Sequence, residues 1–363
     1  MKKNGAMAMV FHEAEQPFVP LLVNLPALSC GELIVQITYS TICTSDLHTY
    51  YGRRPAPAPS VLGHEVIGKI LLIANDGPKD YYGESLKFGD LITWSVYAHD
   101  HSGEMAIKGF PQKSEDLFKY GHEKIQPDDI LNGGFATHCH LKKGTDIFKI
   151  PSKLSAKEAA PLNCTHATMA GAIRLPGDIK GKNVLIIGAG MLGISACAMS
   201  KFEGAKQVFV MDIIQARIAY IKQFGADKGI PANLTVEEII AILKPRGGTD
   251  VVIDTSGSAE AMEKGLAFLN IGGICIWVGA VYSQRDLAIN AESIVRKIIT
   301  IKGLHNYVPE DLAKAIKFME ANHKKYPFES LVSTDFPLSE LDQAFRVAKD
   351  SYKYRIGVTP DQL

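Results

Sequence analysis

The chain changes its hydrophobic rhythm near residue 155. Before that point apolar positions alternate over short runs: Leu, Val and Ile recur two apart from Glu32 to Tyr39, and similar runs follow at Val66 to Ile73 and Leu91 to Val96. A period of two sends successive side chains to opposite faces, so these runs predict strands of a mainly β domain. The stretch Arg53 to Ser60 (RRPAPAPS) is punctuated by proline, which fixes φ and lacks a backbone donor, and predicts a loop. Ala98 to Gln126 is polar and holds no sustained period, as expected of a lobe or insertion. Beyond residue 155 apolar runs alternate with helical stretches. Val184 to Ile187, Val208 to Met211, Val251 to Asp254, Gly273 to Val278 and Thr300 to Gly303 read as strands. Met191 to Glu203, Gln215 to Phe224, Ala259 to Leu269 and Pro309 to Glu320 read as helices between or after them. Strands apolar on both faces and separated by helices predict a parallel sheet covered on both sides. The C-terminal segment reads as a helix, Leu341 to Lys349, and a strand, Lys353 to Val358.

A chain of 363 residues exceeds the usual single-domain size and predicts two domains. The fold class expected is α/β: a Rossmann-type doubly wound parallel sheet over residues 156–320, and a mainly β domain over residues 1–155 and 321–363. Lys plus Arg equals Asp plus Glu at 39 each, which gives no reason to expect a nucleic acid or an anionic membrane as partner. Six widely spaced cysteines do not resemble a secreted disulfide framework and are expected as free thiols or metal ligands. Met1 to Phe11 has no apolar core of signal-peptide length, and the longest uncharged stretch, Val184 to Ser200, is glycine-interrupted and short for a bilayer span, so a cytoplasmic protein is expected.

The first candidate site is Gly188-Ala-Gly190-Met191-Leu192-Gly193, a G-x-G-x-x-G that follows a strand directly and opens a helix. Gly188 suits the tight turn, Gly190 a close approach of backbone to a pyrophosphate, and Gly193 the contact of helix with strand. A helix N-terminus presents free N–H groups and a partial positive charge of about half a unit to that anion. The next strand ends in Asp212, placed to accept from ribose hydroxyls and to repel a 2′-phosphate; Arg217 lies inside the following helix. NAD is therefore expected over NADP. The carboxyl ends of later strands, at Ser256 and at Val278-Gly279, are expected to wall the nicotinamide pocket. The alternative is that the glycines serve helix–sheet packing alone.

The second candidate is Cys43, His64, Glu65 and Cys164, soft and borderline donors suited to zinc. Two thiolates, one imidazole and an open position match a catalytic Cys₂His site. Spacing leaves open that Cys43 is a buried thiol and His64 a core histidine.

Cys43-Thr-Ser-Asp-Leu-His48 and Gly63-His64-Glu65-Val-Ile-Gly68 resemble the signature of zinc-dependent medium-chain alcohol dehydrogenases, and the likeness runs along essentially the whole chain. Tyr51-Gly-Arg-Arg54, Gly109-Phe-Pro-Gln-Lys113 and Lys119-Tyr-Gly-His122 resemble a subgroup associated with phosphonate catabolism. The resemblance implies a GroES-like catalytic domain and zinc on Cys43, His64 and Cys164. It implies Glu65 as an acid able to approach the metal, Asp46 holding the His64 imidazole, and Ser45 and His48 relaying the alcohol proton. It also implies Arg355 reaching the pyrophosphate, and a homodimer or homotetramer formed partly by strands near Gly272 to Val278 and Ile299 to Leu304. Asp100, Gly103, Ala106 and Ser114 stand where relatives often carry four cysteines for a structural zinc, so one zinc per chain is expected. His99, His101 and Glu104 are the alternative for a substitute site, weighed against solvated histidines.

Together these readings predict hydride transfer between an alcohol, with a phosphonate-bearing one among the candidates, and NAD, giving a ketone or aldehyde. The alternatives are a polyol or amino-alcohol dehydrogenase, or a nicotinamide-binding regulatory module without turnover. Arg53, Arg54, Lys113, Lys119 and His122 would suit an anionic substrate, or else form an ordinary solvated surface or a subunit contact.

Overall fold

The structure, a computed structural model, describes residues 5–349 and 353–361. It divides into two compact units: residues up to Cys164 together with Val308–His323 and the segment from Phe328 onward, and a second unit of Thr165–Tyr307 and Lys324–Pro327.

The first unit is built on a mixed sheet whose hydrogen-bonded path runs Val332–Pro337, Arg355–Thr359, Leu33–Thr41, Glu65–Ile73, Leu91–Ala98 and Phe118–Lys119. His138–Leu141 pairs with the Leu33–Thr41 strand and Thr145–Lys149 with the Leu91–Ala98 strand. Alternation at these strands buries Leu33, Val35, Ile37, Ile70, Ile92 and Trp94 in one core. A second, aromatic core of Phe11, Phe18, Tyr50, Phe135 and Phe345 anchors the short helix Thr44–Tyr50. Tyr50 lies 5.2 Å from Phe18 and 4.9 Å from Phe345, ring to ring. Burying a ring of this size contributes about 2–3 kcal/mol, which fixes the C-terminal end of a helix too short to be stable alone. Arg53 to Pro59 is irregular, as the prolines require, and Ala98 to Gln126 carries only a turn of helix at Glu104–Ile107, a 3₁₀ turn at Pro111–Lys113 and a two-residue strand.

The second unit holds a six-stranded, all-parallel sheet in the order Lys228–Pro231, Gln207–Asp212, Asn183–Ile187, Thr249–Asp254, Leu269–Trp277, Thr300–Gly303. The chain begins in the middle, runs to one edge, then returns to build the other half. The switch point therefore falls between Asn183–Ile187 and Thr249–Asp254, where ligand crevices of open α/β sheets form. Four elements of this unit go beyond those expected from the sequence, the helices Thr165–Arg174, Val236–Leu243 and Ala291–Lys297 and the strand Lys228–Pro231. Lys228–Pro231 is a strand with one fully buried side chain, Ile230, too little apolar signal to read. Val236–Leu243 is a helix with a reciprocal cap, Thr235 Oγ1 accepting from Glu238 N and Glu238 Oε2 from Thr235 N.

Candidate active site

In the second unit the glycine motif is placed at the switch point. Gly188 has φ +100°, and a Cβ there would meet Thr255 Oγ1 at 2.7 Å. At Gly193 a Cβ would sit 1.8 Å from the Gly188 carbonyl oxygen, so only glycine lets the helix Met191–Phe202 start this close to its strand. Gly190 differs: a Cβ would meet nothing nearer than Arg217 at 4.0 Å. The chain itself therefore does not require glycine there, and the space beside that backbone fits an approaching pyrophosphate. Met191 and Leu192 form the first turn of the helix, with Gly190 as its N-cap.

Asp212 ends its strand as expected, with Oδ2 accepting from Ala189 N at 2.6 Å and Oδ1 from Ile214 N at 2.7 Å. Its carboxylate thus ties the turn of the motif to the second strand. Asp254 ties the next two strand ends together. Its side chain accepts from Gly257 N and Ser256 Oγ, and its carbonyl from the N–H groups of Val278 and Gly279. Burial pushes Asp254 up to about 6, against the opposing effect of the hydrogen bonds from Gly257 and Ser256. Ser256, Val278 and Gly279 therefore line one edge of the same switch point as Gly188.

In the first unit Cys43, His64 and Cys164 converge, their donor atoms all within 4.8 Å of one another. Cys43 precedes the helix Thr44–Tyr50, and Asp46 Oδ2 accepts from its N–H at 2.9 Å. The other oxygen of Asp46 lies 3.2 Å from His64 Nδ1, which leaves Nε2 for the cluster. His64 follows Gly63, at φ +90°, where a Cβ would be 2.9 Å from Phe135 N; the Gly63 carbonyl accepts from Gly134 N at 2.7 Å. Cys164 follows the 3₁₀ turn Ala160–Asn163, held by Asn163 Nδ2 donating to the Trp94 carbonyl.

The two sulfurs are 4.0 Å apart. Tetrahedral zinc with bonds of about 2.3 Å would hold them about 3.8 Å apart, so the donor set fits the metal in identity and spacing. The hydrogen bond with Cys164 holds the Cys43 thiol well below its ordinary range, burial opposes this, and the Arg355 and His64 charges reinforce it. Burial disfavours the His64 cation, but Asp46 and Cys43 more than reverse this and raise His64 to about 10. The pocket thus stabilises a thiolate at Cys43, while the hydrogen bond with Cys43, burial and the Cys43 charge push the Cys164 thiol well up.

Ser45 Oγ lies 3.3 Å from His64 Nε2. His48 sits one helical turn further, its pKa lowered by burial and by the Arg53 and Arg54 charges, with Cys43 opposing. Glu65 stands outside the three-donor group. Its Oε2 accepts from Thr41 Oγ1 at 2.7 Å and Arg355 Nε at 2.6 Å, and its Oε1 from Arg355 Nη2 at 2.8 Å. Arg355 is accordingly found as the counter-ion of a fully buried carboxylate, with Nη2 also 3.6 Å from Cys43 Sγ. A buried carboxylate needs such a partner, but the two residues are 290 positions apart and nothing in the sequence links them. His122 packs 5.1 Å from His64, ring to ring, which its place in a polar loop did not announce.

Among the described residues a second donor group forms from His99, His101 and Asp146. Glu104 is not part of it and pairs instead with Lys108, one turn along its own short helix. All six cysteines are free, and no helix of the described residues is long and apolar enough to cross a membrane.

Two family models match the chain, the alcohol dehydrogenase GroES-like domain over residues 29–152 and the zinc-binding dehydrogenase domain over residues 192–321. Together they span well over half of it. Sorbitol dehydrogenase of Halalkalibacterium halodurans is 27% identical over 90% of this chain and 91% of its own. Alcohol dehydrogenase of Geobacillus stearothermophilus is 27% identical over 98% and 99%. The crystal structure of an alcohol dehydrogenase from Thermotoga maritima superposes with a TM-score of 0.91 at 26% identity, covering 98% of this chain and all of that one. With the donor cluster in one unit and the glycine turn at the switch point of the other, these matches agree on one conclusion: the chain belongs to the zinc-binding medium-chain alcohol dehydrogenase family.

Proposed function

We propose that this protein transfers a hydride between an anionic alcohol and NAD, and that Cys43, His64 and Cys164 carry the metal that makes the reaction possible. The convergence of those three donors carries the reading. Zinc held there supplies Lewis-acid chemistry, lowering the pKa of a hydroxyl by several units. Asp46 orients His64 and fixes its tautomer. Ser45 accepts the alcohol proton and His48 passes it on; with its pKa lowered by burial and by the Arg53 and Arg54 charges, His48 is neutral near pH 7 and can take up a proton. Gly188, Gly190 and the N–H groups of Met191, Leu192 and Gly193 take the pyrophosphate, and Asp212 the adenosine ribose. Asp212 disfavours a 2′-phosphate, which supports NAD over NADP, and the approach of Arg217 Nη1 to within 4.0 Å of a Cβ at Gly190 supports its flanking the same ribose.

The anionic substrate class rests on cations gathered near the donor cluster. Burial, reinforced by the Arg54 and Lys113 charges, lowers Lys119 to about 8 against the opposing charges of Cys164 and Glu123. Lys119 and Arg54 act on His122 as well, which faces His64. Cations crowded together at such a cost are relieved by an anion, and a phosphonate supplies oxygens for several of them. A neutral polyol is the second reading, favoured by the likeness to sorbitol dehydrogenase. Parallel assays with phosphonate-bearing and neutral alcohols decide between them. The proposal expects Lys119→Ala and Arg54→Ala to raise KM for the anionic alcohol about tenfold or more while leaving neutral alcohols unchanged; equal effects on both would refute the anionic class.

We further propose a homodimer or homotetramer built partly on the strands Leu269–Trp277 and Thr300–Gly303. Ile271, in the strand next to the edge, and Ile298, just before the edge strand, are 76% and 70% exposed and leave apolar surface that favours association with a second copy. Ile271→Asp is expected to shift the sedimentation coefficient towards that of a monomer.

A further inference from the structure

The group His99, His101 and Asp146 does not belong to the site described above, and it brings three donor atoms within 4.8 Å of one another. His99 lies just beyond the strand Leu91–Ala98 and Asp146 in the strand Thr145–Lys149, which pair through Ala98 opposite Thr145. His99 N donates to the Gly144 carbonyl at 3.1 Å. Gly144 has φ +89°, and a Cβ there would sit 2.2 Å from the His99 carbonyl oxygen, so the turn can approach this closely only as glycine. The backbone thus holds His99 and Asp146 side by side on paired strands, the kind of rigid support a ligand set needs.

The side chains make incomplete use of that proximity. His99 Nδ1 and Asp146 Oδ2 are both buried, lack a hydrogen-bond partner, and face each other at 3.9 Å, too far to bond directly. The other oxygen of Asp146 lies 3.1 Å from His101 Nε2. The His99 and His101 rings are 4.3 Å apart, centroid to centroid. Two buried polar atoms left unpaired are costly, about 1–3 kcal/mol each. A simple His–Asp hydrogen bond accounts for His101 and leaves the other two atoms unexplained. One cation between the three donors satisfies all of them. With bonds of about 2.0–2.1 Å, a tetrahedral ion separates neighbouring N and O ligands by about 3.3–3.4 Å, between the two distances observed. His101, more than half exposed at its side chain, leaves a path for entry and room for water as a fourth ligand.

We propose that His99, His101 and Asp146 form a second metal site, selective for a divalent cation of borderline character such as zinc. It clasps the start of the 98–126 lobe to the strand Thr145–Lys149 and takes no part in hydride transfer. It would add a second ion to the catalytic zinc expected on Cys43, His64 and Cys164. The site occupies the lobe from which the four cysteines are missing, with a donor drawn from a different strand.

The test is zinc content and zinc affinity of the full chain. The parent protein is expected to hold two equivalents after purification with zinc and dialysis against buffer. The double variant Cys43→Ser, Cys164→Ser is expected to keep one, which calorimetric titration with zinc reads as a single site. His101→Ala alters an exposed side chain and spares the fold; Asp146→Asn keeps shape and removes charge. Each is expected to weaken that remaining site at least tenfold in the double-variant background. In the otherwise native chain each is expected to leave turnover with NAD near that of the parent. One equivalent in the parent would overturn the proposal, as would a second equivalent whose affinity neither His101→Ala nor Asp146→Asn changes, since that would be adventitious zinc.

Discussion

Asp46 shows how much one side chain does in this site. Its two oxygens act in opposite directions, one accepting from the Cys43 N–H and one facing the His64 ring. Asp46→Asn keeps the shape and removes the charge that sustains the imidazole. Zinc affinity is expected to fall 10- to 100-fold with little change in secondary structure, read by competition with a chelator; an unchanged affinity would separate Asp46 from the metal. Arg355 and Glu65 pose a different question, because each is the other's reason for being buried. Arg355→Met leaves a carboxylate uncompensated and is expected to cost about 3–5 kcal/mol in urea unfolding, whereas replacing both residues with apolar ones should recover much of it. A purely local role for Arg355 at a ligand surface would instead leave stability untouched. The Asp46–His64 pairing follows from the family resemblance, whereas the Arg355–Glu65 pairing is not legible from sequence: Glu65 stands in a recognisable motif, but what neutralises it arrives from a strand at the far end of the chain.

At the scale of elements the glycine turn separates two roles that the motif merges. Gly190 has room for a methyl group within the protein and Gly193 has none. Gly190→Ala is therefore expected to keep the parent Tm while raising KM for NAD at least tenfold, and Gly193→Ala to lower Tm because the helix must move off its strand. Equal loss of stability in both would mean that the glycines serve packing alone. The neighbouring strand end makes a pH prediction. Asp254, at about 6 in the folded chain, lies above its unfolded value of about 3.9. Between those values the folded state holds a proton that the unfolded state has released, so stability falls as pH rises through the window. Relative to Asp254→Asn, the parent should lose about 2 kcal/mol between about pH 4.5 and about pH 7 by denaturant unfolding; a constant difference would contradict the shift. Legibility differed by element for physical reasons. Strands such as Gln207–Asp212 are buried on both faces and show as apolar runs. Lys228–Pro231 sits at the sheet edge with one core side chain and shows as nothing. The helix Val236–Leu243 carried a readable cap, Thr235 with Glu238, and was expected nowhere because its neighbouring strand was silent.

Over the whole molecule, the change of rhythm near residue 155 announced two kinds of architecture, and the structure contains both: a mixed sheet bearing the sulfur and imidazole donors, and an all-parallel sheet bearing the glycine turn. What the sequence could not disclose was which distant residues meet outside its recognisable motifs. His99 and Asp146 become neighbours only because Ala98 lies opposite Thr145 across a strand pair. The central claim is that Cys43, His64 and Cys164 hold the metal on which alcohol oxidation depends. It is tested most directly by comparing the parent with Cys164→Ser for zinc content and for NADH formation from an alcohol. The account predicts the loss of one zinc equivalent and a fall in turnover of about 10³-fold or more, since the metal supplies several kcal/mol to the reaction. A Cys164→Ser protein that keeps its full zinc and the turnover of the parent would contradict it.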